Sequence, residues 1–273
     1  MLSECLLLLA AKISCILEAR SHADTTAYVH VPFTWLEHGD TLGANASELE
    51  HYINLGHREL HSDDLPSEVP VHEKGHCHDW ADSSPQLYEL LRTELRYKLQ
   101  SAQLKLNLHG WAVQRRKETE VDIAVHIRRG DVHAGIEFRY LALQHFSDII
   151  GGLEDGLKSH NLTAKFTIIS EGAEADFEDM LSQHDGSVKL QLNQPVLTSW
   201  QAMVDADVLV LSRSSFGYSA ALYNEGLVLY SRFWHAPLPS WIVYHDRQQL
   251  QSAIAKQHVR VSLLKKLALR SMS

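Results

Sequence analysis

The stretch VDIAVHIRRGDVHAGIE, residues 121–137, ends an apolar, β-branched run in His126, two arginines, a glycine and an aspartate. Arg128 at a strand end could present its planar fork to a phosphate, which suits guanidinium geometry better than ammonium. Asp131 would hold one arginine in place, and Gly130 would let the backbone turn. The plainer reading is a surface Arg/Asp pair capping a strand. A third reading takes Arg129-Gly130-Asp131 as an adhesion tripeptide, which needs an exposed flexible loop. Here the tripeptide follows directly from a core strand.

The second stretch is ADVLVLSRSSFGYSAALYNEG, residues 206–226. An apolar strand runs into serines that open a helix. Free N–H groups and the helix dipole make such a spot an anion site, and the hydroxyls add donors. Simple N-capping by Ser214 or Ser215 is the alternative. No P-loop lysine is present, so nucleotide hydrolysis of that type is not expected. One guanidinium and one helix terminus on the same rim would together hold a diphosphate.

Whether they share a rim depends on the elements between them. VDIAVHI reads as a strand, followed by a helix with Phe146, Ile149, Ile150 and Leu153 at helical spacing. Strand KFTIIS, helix AEADFEDMLSQH, strand SVKLQL, helix LTSWQAMVDA, strand DVLVLS, helix SFGYSAALYNEG and strand LVLY then alternate. That alternation predicts an α/β fold with a parallel sheet and helices on both faces. Ligands in such folds sit at the carboxyl ends of strands, which puts Arg128, Glu171 and Ser214 on one rim.

The first hundred residues are less regular. Leu6, Leu9, Ala10, Ile13 and Leu17 fall on one face of a helix, a better fit than a signal or anchor sequence, because the apolar stretch is short, Glu4 sits where basic residues belong and Lys12 interrupts it. TAYVHVPF reads as a strand and SPQLYELLRTELRYKLQSAQLKL as a long helix; HGWAVQRRKETE is the expected linker. The expected domains are an N-terminal lobe over 1–115, an α/β lobe over 116–245 and a helical segment over 246–273.

The 273 residues suffice for one large or two small domains, and the net charge of −9 argues against general nucleic-acid binding. No run reaches the ~20 apolar residues that span a bilayer. Cys5, Cys15 and Cys77 form no disulfide framework. The sequons at Asn45 and Asn161 permit secretion. His72, His76, Cys77 and His78 suggest zinc, but without a distant partner pair a histidine-rich loop is the stronger reading. Trp234, His235, Trp241 and Tyr244 could stack a base or sugar, or simply pack an edge.

HIRRGD at 126–131 together with ADVLVLSRSSF at 206–216 resembles the donor-binding half of the GDP-fucose-dependent fucosyltransferases, the α-1,2, α-1,6 and protein O-fucosyltransferase group. The resemblance covers roughly residues 121–230. It implies a GT-B-like architecture of two Rossmann-like lobes with parallel sheets, and metal-independent transfer of fucose from GDP-fucose to a hydroxyl of a glycan or glycoprotein. By the same resemblance Arg128 binds the β-phosphate, with Arg129 as its neighbour. Ser214, Ser215 and Phe216 line the diphosphate, and Asp207 matches an acidic position of the family. Ser170 and Glu171 fall where the nucleoside is held, and His126 supports the strand end or contacts the nucleotide.

The implied chemistry is inverting displacement through an oxocarbenium-like state, with positive groups stabilising the leaving phosphate. Glu137 is the candidate general base and His133 the runner-up, while Glu137 also reads as an ordinary solvated carboxylate. The family opens with a strand and a glycine-rich GN loop; this chain begins at the helix after it, so the N-terminal lobe is expected to be incomplete. The alternatives are an inactive nucleotide-sugar or glycan-binding protein of the same fold, and the adhesion protein. The resemblance implies the Golgi or ER lumen, with the cytoplasm as the alternative if no signal is encoded upstream, and it leaves membrane anchoring open.

Overall fold

The computed structural model describes residues 7–22, 27–33, 46–68, 82–105, 119–184 and 186–243. The chain divides into two compact units, Met1–Val113 and Gln114–Ser273. The histidine cluster at 72–78, most of the linker and the segment from 246 onward lie outside the described residues. So do the sequon at Asn45 and the aromatic ring of Tyr244.

The first unit contains helices α1 (Leu7–Ser21), α2 (Ala46–Ile53) and α3 (Gln86–Lys105), with both shorter helices packed on α3. Strands β1 (Val29–His30) and β2 (Leu60–His61) pair in parallel. The face predicted for α1 is the buried one: Leu9, Ala10, Ile13 and Leu17 are all in the core, joined by Ile16. Tyr88 of α3 meets Ser14 of α1 through a hydroxyl pair at 2.7 Å. Lys98 is buried and donates to the Leu55 carbonyl at 2.7 Å and to Glu59. Arg20 binds Glu94 and Glu59, and its hydrogen bond holds the Glu94 carboxyl down to about 2. The cysteines do not match the expectation in full, because Cys15 is disulfide-bonded.

The second unit carries six parallel strands. These are β3 (Glu120–His126), β4 (Thr163–Ser170), β5 (Val188–Leu192), β6 (Val208–Val210), β7 (Leu227–Tyr230) and β8 (Ile242–Val243). Their spatial order is β5-β4-β3-β6-β7-β8. Counted within the unit this is 3-2-1-4-5-6, the order of a doubly wound Rossmann-like sheet. Chain direction across the sheet reverses between β3 and β6, which pair through Ile123↔Val208 and Val125↔Val210.

Helix α4 (Leu143–Lys158) buries Phe146, Ile149, Ile150 and Leu153 in one core with Val121, Ile123, Val125 and Ile127 of the β3 segment. Successive strand residues point to opposite faces, so Ala124 and His126 face the other way. Helices α6 (Val196–Asp205) and α7 (Ser215–Tyr223) pack together, with Trp200 edge-on to Tyr223 at 4.9 Å. His126 reaches this pair, its ring 5.4 Å from that of Phe216.

Two elements depart from the sequence reading. The helix expected over 173–184 breaks into a 3-10 turn (Glu174–Phe177) and the short α5 (Glu178–Leu181). Phe177 leaves the helical region at the junction, with φ −115° and ψ 0°, and is fully buried. The aromatic segment after β7 supplies a further strand, β8, paired through Leu229↔Ile242.

Candidate functional site

The site is built at the carboxyl ends of β3, β4, β6 and β7. Backbone pairing continues past β3, with the Ile127 N–H on the Ile169 carbonyl at 3.0 Å. Arg128 is thereby delivered at the strand tip, where it is 2% exposed. Its Nη1 donates to Glu171 Oε2 at 2.8 Å and its Nη2 pairs with Asp131. Burial lowers the Arg128 pKa, and Asp131 and Glu171 oppose that shift. Gly130 has φ +79°, and a Cβ there would stand 2.4 Å from Glu171 Oε2. The glycine thus serves both the turn and the approach of Glu171.

Arg129 is committed to its own loop. It donates to the carbonyls of Arg128 at 2.8 Å and Leu141 at 2.9 Å, and its guanidinium lies 4.5 Å from the Tyr140 ring centre. The adhesion reading fails here. Gly130 and Asp131 reach the surface, but both charged side chains of the tripeptide are held by internal partners.

The second anion element is the start of α7. Ser214 is its N-cap residue, with φ −150° and ψ 129°, yet its hydroxyl makes no capping bond. The Oγ atoms of Ser212 and Ser214 and Nδ1 of His126 are buried without a hydrogen-bond partner among the described residues. Each such atom costs about 1–3 kcal/mol, and a fold keeps a cluster of them where a ligand or water supplies the partner. His126 stays neutral, its pKa held down to about 3 by burial and then by the Arg128 charge. A Cβ on Gly217 would lie 2.7 Å from His126 Nδ1, so this glycine lets the first turn of α7 close onto the imidazole.

The remaining predicted residues separate. Ser215 is buried, and its Oγ lies 3.2 Å from His235 Nε2 as a hydrogen-bonded pair. Phe216 is fully buried against His126, so its side chain is core and only its main chain belongs to the helix terminus. Ser170 donates to the Ile127 carbonyl at 2.8 Å, tying β4 to β3. Glu137 is exposed, and its carbonyl accepts from Arg213 at 3.3 Å. His133 is exposed and its Nδ1 accepts the Gly135 N–H at 3.2 Å.

Asp207 requires a correction. It precedes β6 and so stands at the amino end of the sheet, away from Arg128. Its Oδ2 accepts the Asp122 N–H at 3.0 Å, and its main chain bonds the Asp122 carbonyl and the Leu227 N–H. A carboxylate that clamps strand starts cannot reach a ligand at strand ends.

Two arginines went unread in the sequence. Arg213, between the serines, donates to the Glu137 and Phe138 carbonyls at 3.3 Å and so joins the loop after β6 to the loop after β3. It also helps lower the His145 pKa, after burial. Arg139 lies 4.9 Å from the Trp234 ring centre, which joins the loop after β3 to the one after β7. Nothing in their spacing announced either contact, because both span unrelated loops.

No group of three or more His, Cys, Asp or Glu among the described residues is arranged to hold a metal ion. No described helix is long and apolar enough to cross a membrane.

No family model and no curated protein matches the chain. Among solved structures it is similar to E. coli heptosyltransferase WaaC with ADP-2-deoxy-2-fluoro heptose, at 13% identity and a TM-score of 0.35. The match covers 60% of this chain and 55% of that one, so the chain spans little more than half the length of that structure. The likeness is too slight to argue from.

Proposed function

We propose that the protein is a glycosyltransferase that binds a nucleotide sugar by its diphosphate at the switch point of the second unit. The finer reading is inverting transfer of fucose from GDP-fucose to a hydroxyl of a glycan or glycoprotein. One observation carries it: Arg128 and the start of α7 at Ser214 stand at the carboxyl ends of neighbouring strands on either side of the switch. Sheets of this kind take their ligands there, and helix N-termini favour phosphate.

Arg128 does not wait as a bare cation. Asp131 and Glu171 already neutralise it, so an incoming phosphate replaces a carboxylate as its partner. The charge is held in place beforehand, which is what stabilising a leaving diphosphate requires. Ser212 and Ser214 offer hydroxyls, and the first N–H groups of α7 have no intrahelical acceptor. Glu137 is the proposed base, since it is exposed on the loop anchored by Arg213, with His133 as the alternative. Guanidinium and helix terminus stand in for a divalent cation in this reading, so transfer should survive EDTA; a rate that collapses and returns with manganese would overturn that part. The disulfide at Cys15 supports a secretory, oxidising compartment.

The test is calorimetry with GDP, GMP and GDP-fucose, followed by a transfer assay on glycoprotein acceptors. GDP should bind at least tenfold more tightly than GMP. Equal affinities would remove the diphosphate from the site. A binding protein of the same fold that does not turn over its ligand is the second reading, favoured by the two carboxylates on Arg128. GDP binding without transfer or hydrolysis would select it.

A further inference from the structure

The second unit exposes two large apolar side chains among its described residues, Phe138 at 64% and Trp234 at 40%. They come from the loops after β3 and β7 and yet meet, with ring centres 6.2 Å apart and planes inclined at 56°. The Arg139 guanidinium sits 4.9 Å from the Trp234 ring centre and 5.7 Å from that of Phe138. Arg213 holds the carbonyls of Glu137 and Phe138 from below, and Phe233 braces Trp234 edge-on at 4.8 Å. The backbone under Phe138 and the ring of Trp234 are therefore braced before anything binds, which lowers the entropic cost of binding. The pair also lies near the proposed diphosphate site, since Arg213, which binds the Phe138 carbonyl, stands between Ser212 and Ser214.

Size decides what kind of partner fits. Aromatic rings of this type offer about 150–250 Å² each, so at these exposures the patch is on the order of 200 Å². A stable protein interface needs about 800 Å² per partner. The patch suits one small ring. Two rings inclined at 56° cannot both stack on a flat nucleobase. A pyranose chair can meet both, because it carries C–H groups on its face and around its edge. Glu137 and Arg139 flank Phe138 in sequence, and the Arg139 guanidinium also lies against the Trp234 ring, so the two supply an acceptor and donors for ring hydroxyls.

We propose that Phe138 and Trp234 form a carbohydrate platform that takes the apolar face of a pyranose ring, oriented by Arg139 and Glu137. The placement beside a nucleotide-sugar site rests on the function proposed above, whereas sugar binding itself does not. The ring could belong to the acceptor glycan or to the sugar of the donor, and the experiment separates the two.

Saturation-transfer NMR and titration with lactose and N,N′-diacetylchitobiose would be run on the full chain and on Phe138→Ala, Trp234→Ala and the double variant. Calorimetry with GDP, GDP-fucose and pyrophosphate would be run on the same four proteins. Both substitutions are at exposed positions, and circular dichroism checks the fold. Millimolar disaccharide binding that falls at least tenfold in the double variant, with GDP-fucose unchanged, places an acceptor ring on the platform. A loss of GDP-fucose affinity larger than that of GDP places the donor sugar there. The proposal is overturned if neither disaccharide binds and GDP-fucose is unaffected, or if GDP weakens while pyrophosphate does not, which would make the platform a base-stacking site. Should no nucleotide bind at all, the disaccharide arm alone decides, and the function proposed above fails separately.

Discussion

At the amino end of the second unit's sheet, buried polar side chains hold the backbone together. Asn224, fully buried, donates to the carbonyls of Met203, Val204 and Ala206 at 2.8–3.1 Å and accepts the Gly226 N–H at 2.7 Å. Asp207 closes the starts of β3 and β7 around it. At the carboxyl end, Ser212, Ser214 and His126 are equally buried but leave polar atoms without partners among the described residues. Arg128 there is neutralised by carboxylates that an anion can replace. Buried polar side chains thus do opposite work at the two ends. One end lowers the energy of the fold, and the other keeps groups whose cost a ligand relieves.

The largest effect that tests this contrast is at the amino end. Asn224→Ala strands several buried carbonyls and should lower stability by about 3 kcal/mol in urea unfolding. GDP affinity of the folded fraction should not change. A variant that loses GDP affinity without losing stability would erase the division between the ends.

Arg128→Ala should do the reverse. Removing a charge-assisted phosphate contact should weaken GDP by roughly 1.5–3 kcal/mol, read by calorimetry. It also leaves Asp131 and Glu171 without their shared cation, so Arg128→Gln is the milder companion. Wild-type GDP affinity in both variants would remove Arg128 from the site.

His126 sharpens the comparison through pH. Its pKa in the fold is about 3, whereas an unfolded histidine titrates near 6.5. Between those values the unfolded chain takes up a proton that the fold refuses. Its contribution is therefore complete above pH 6.5 and lost as pH falls toward 3, at up to about 1.4 kcal/mol per pH unit. His126→Phe should flatten the acid limb of stability measured from pH 4 to 6.5. An unchanged slope would assign the acid sensitivity to other groups.

The smallest effect separates two adjacent serines. Ser215 already has His235, so Ser215→Ala should cost stability about 1 kcal/mol and leave GDP nearly unchanged. Ser214 has no such partner, so Ser214→Ala should leave stability level or slightly raised and weaken GDP by about 1 kcal/mol, more than GMP. The sequence offered both serines for the phosphate; the hydrogen bonds favour Ser214.

Much of this was legible from pattern. The Val121, Ile123, Val125 and Ile127 alternation identified β3, and helical spacing identified the buried face of α4. Strand ends rich in Arg and Ser marked the rim. What escaped were contacts between loops that no period relates, such as Arg213 with Glu137 and Arg139 with Trp234. Asp207 entered the site only through the family resemblance; its place before the strand already put it at the amino end, where it accepts the Asp122 N–H.

The sequence alone determined the alternation of strand and helix in the second unit, because burial imposes its period directly on apolar residues. It also determined the glycine at 130, since a positive φ restricts the choice of residue locally. Strand order was left to the tertiary structure, because a parallel strand's neighbours depend on which face each crossing helix covers. That order set β3 beside β6 and so made Arg128 and the start of α7 neighbours on the carboxyl rim. It also decided which polar groups found partners, since a hydrogen bond depends on distances that sequence spacing does not carry.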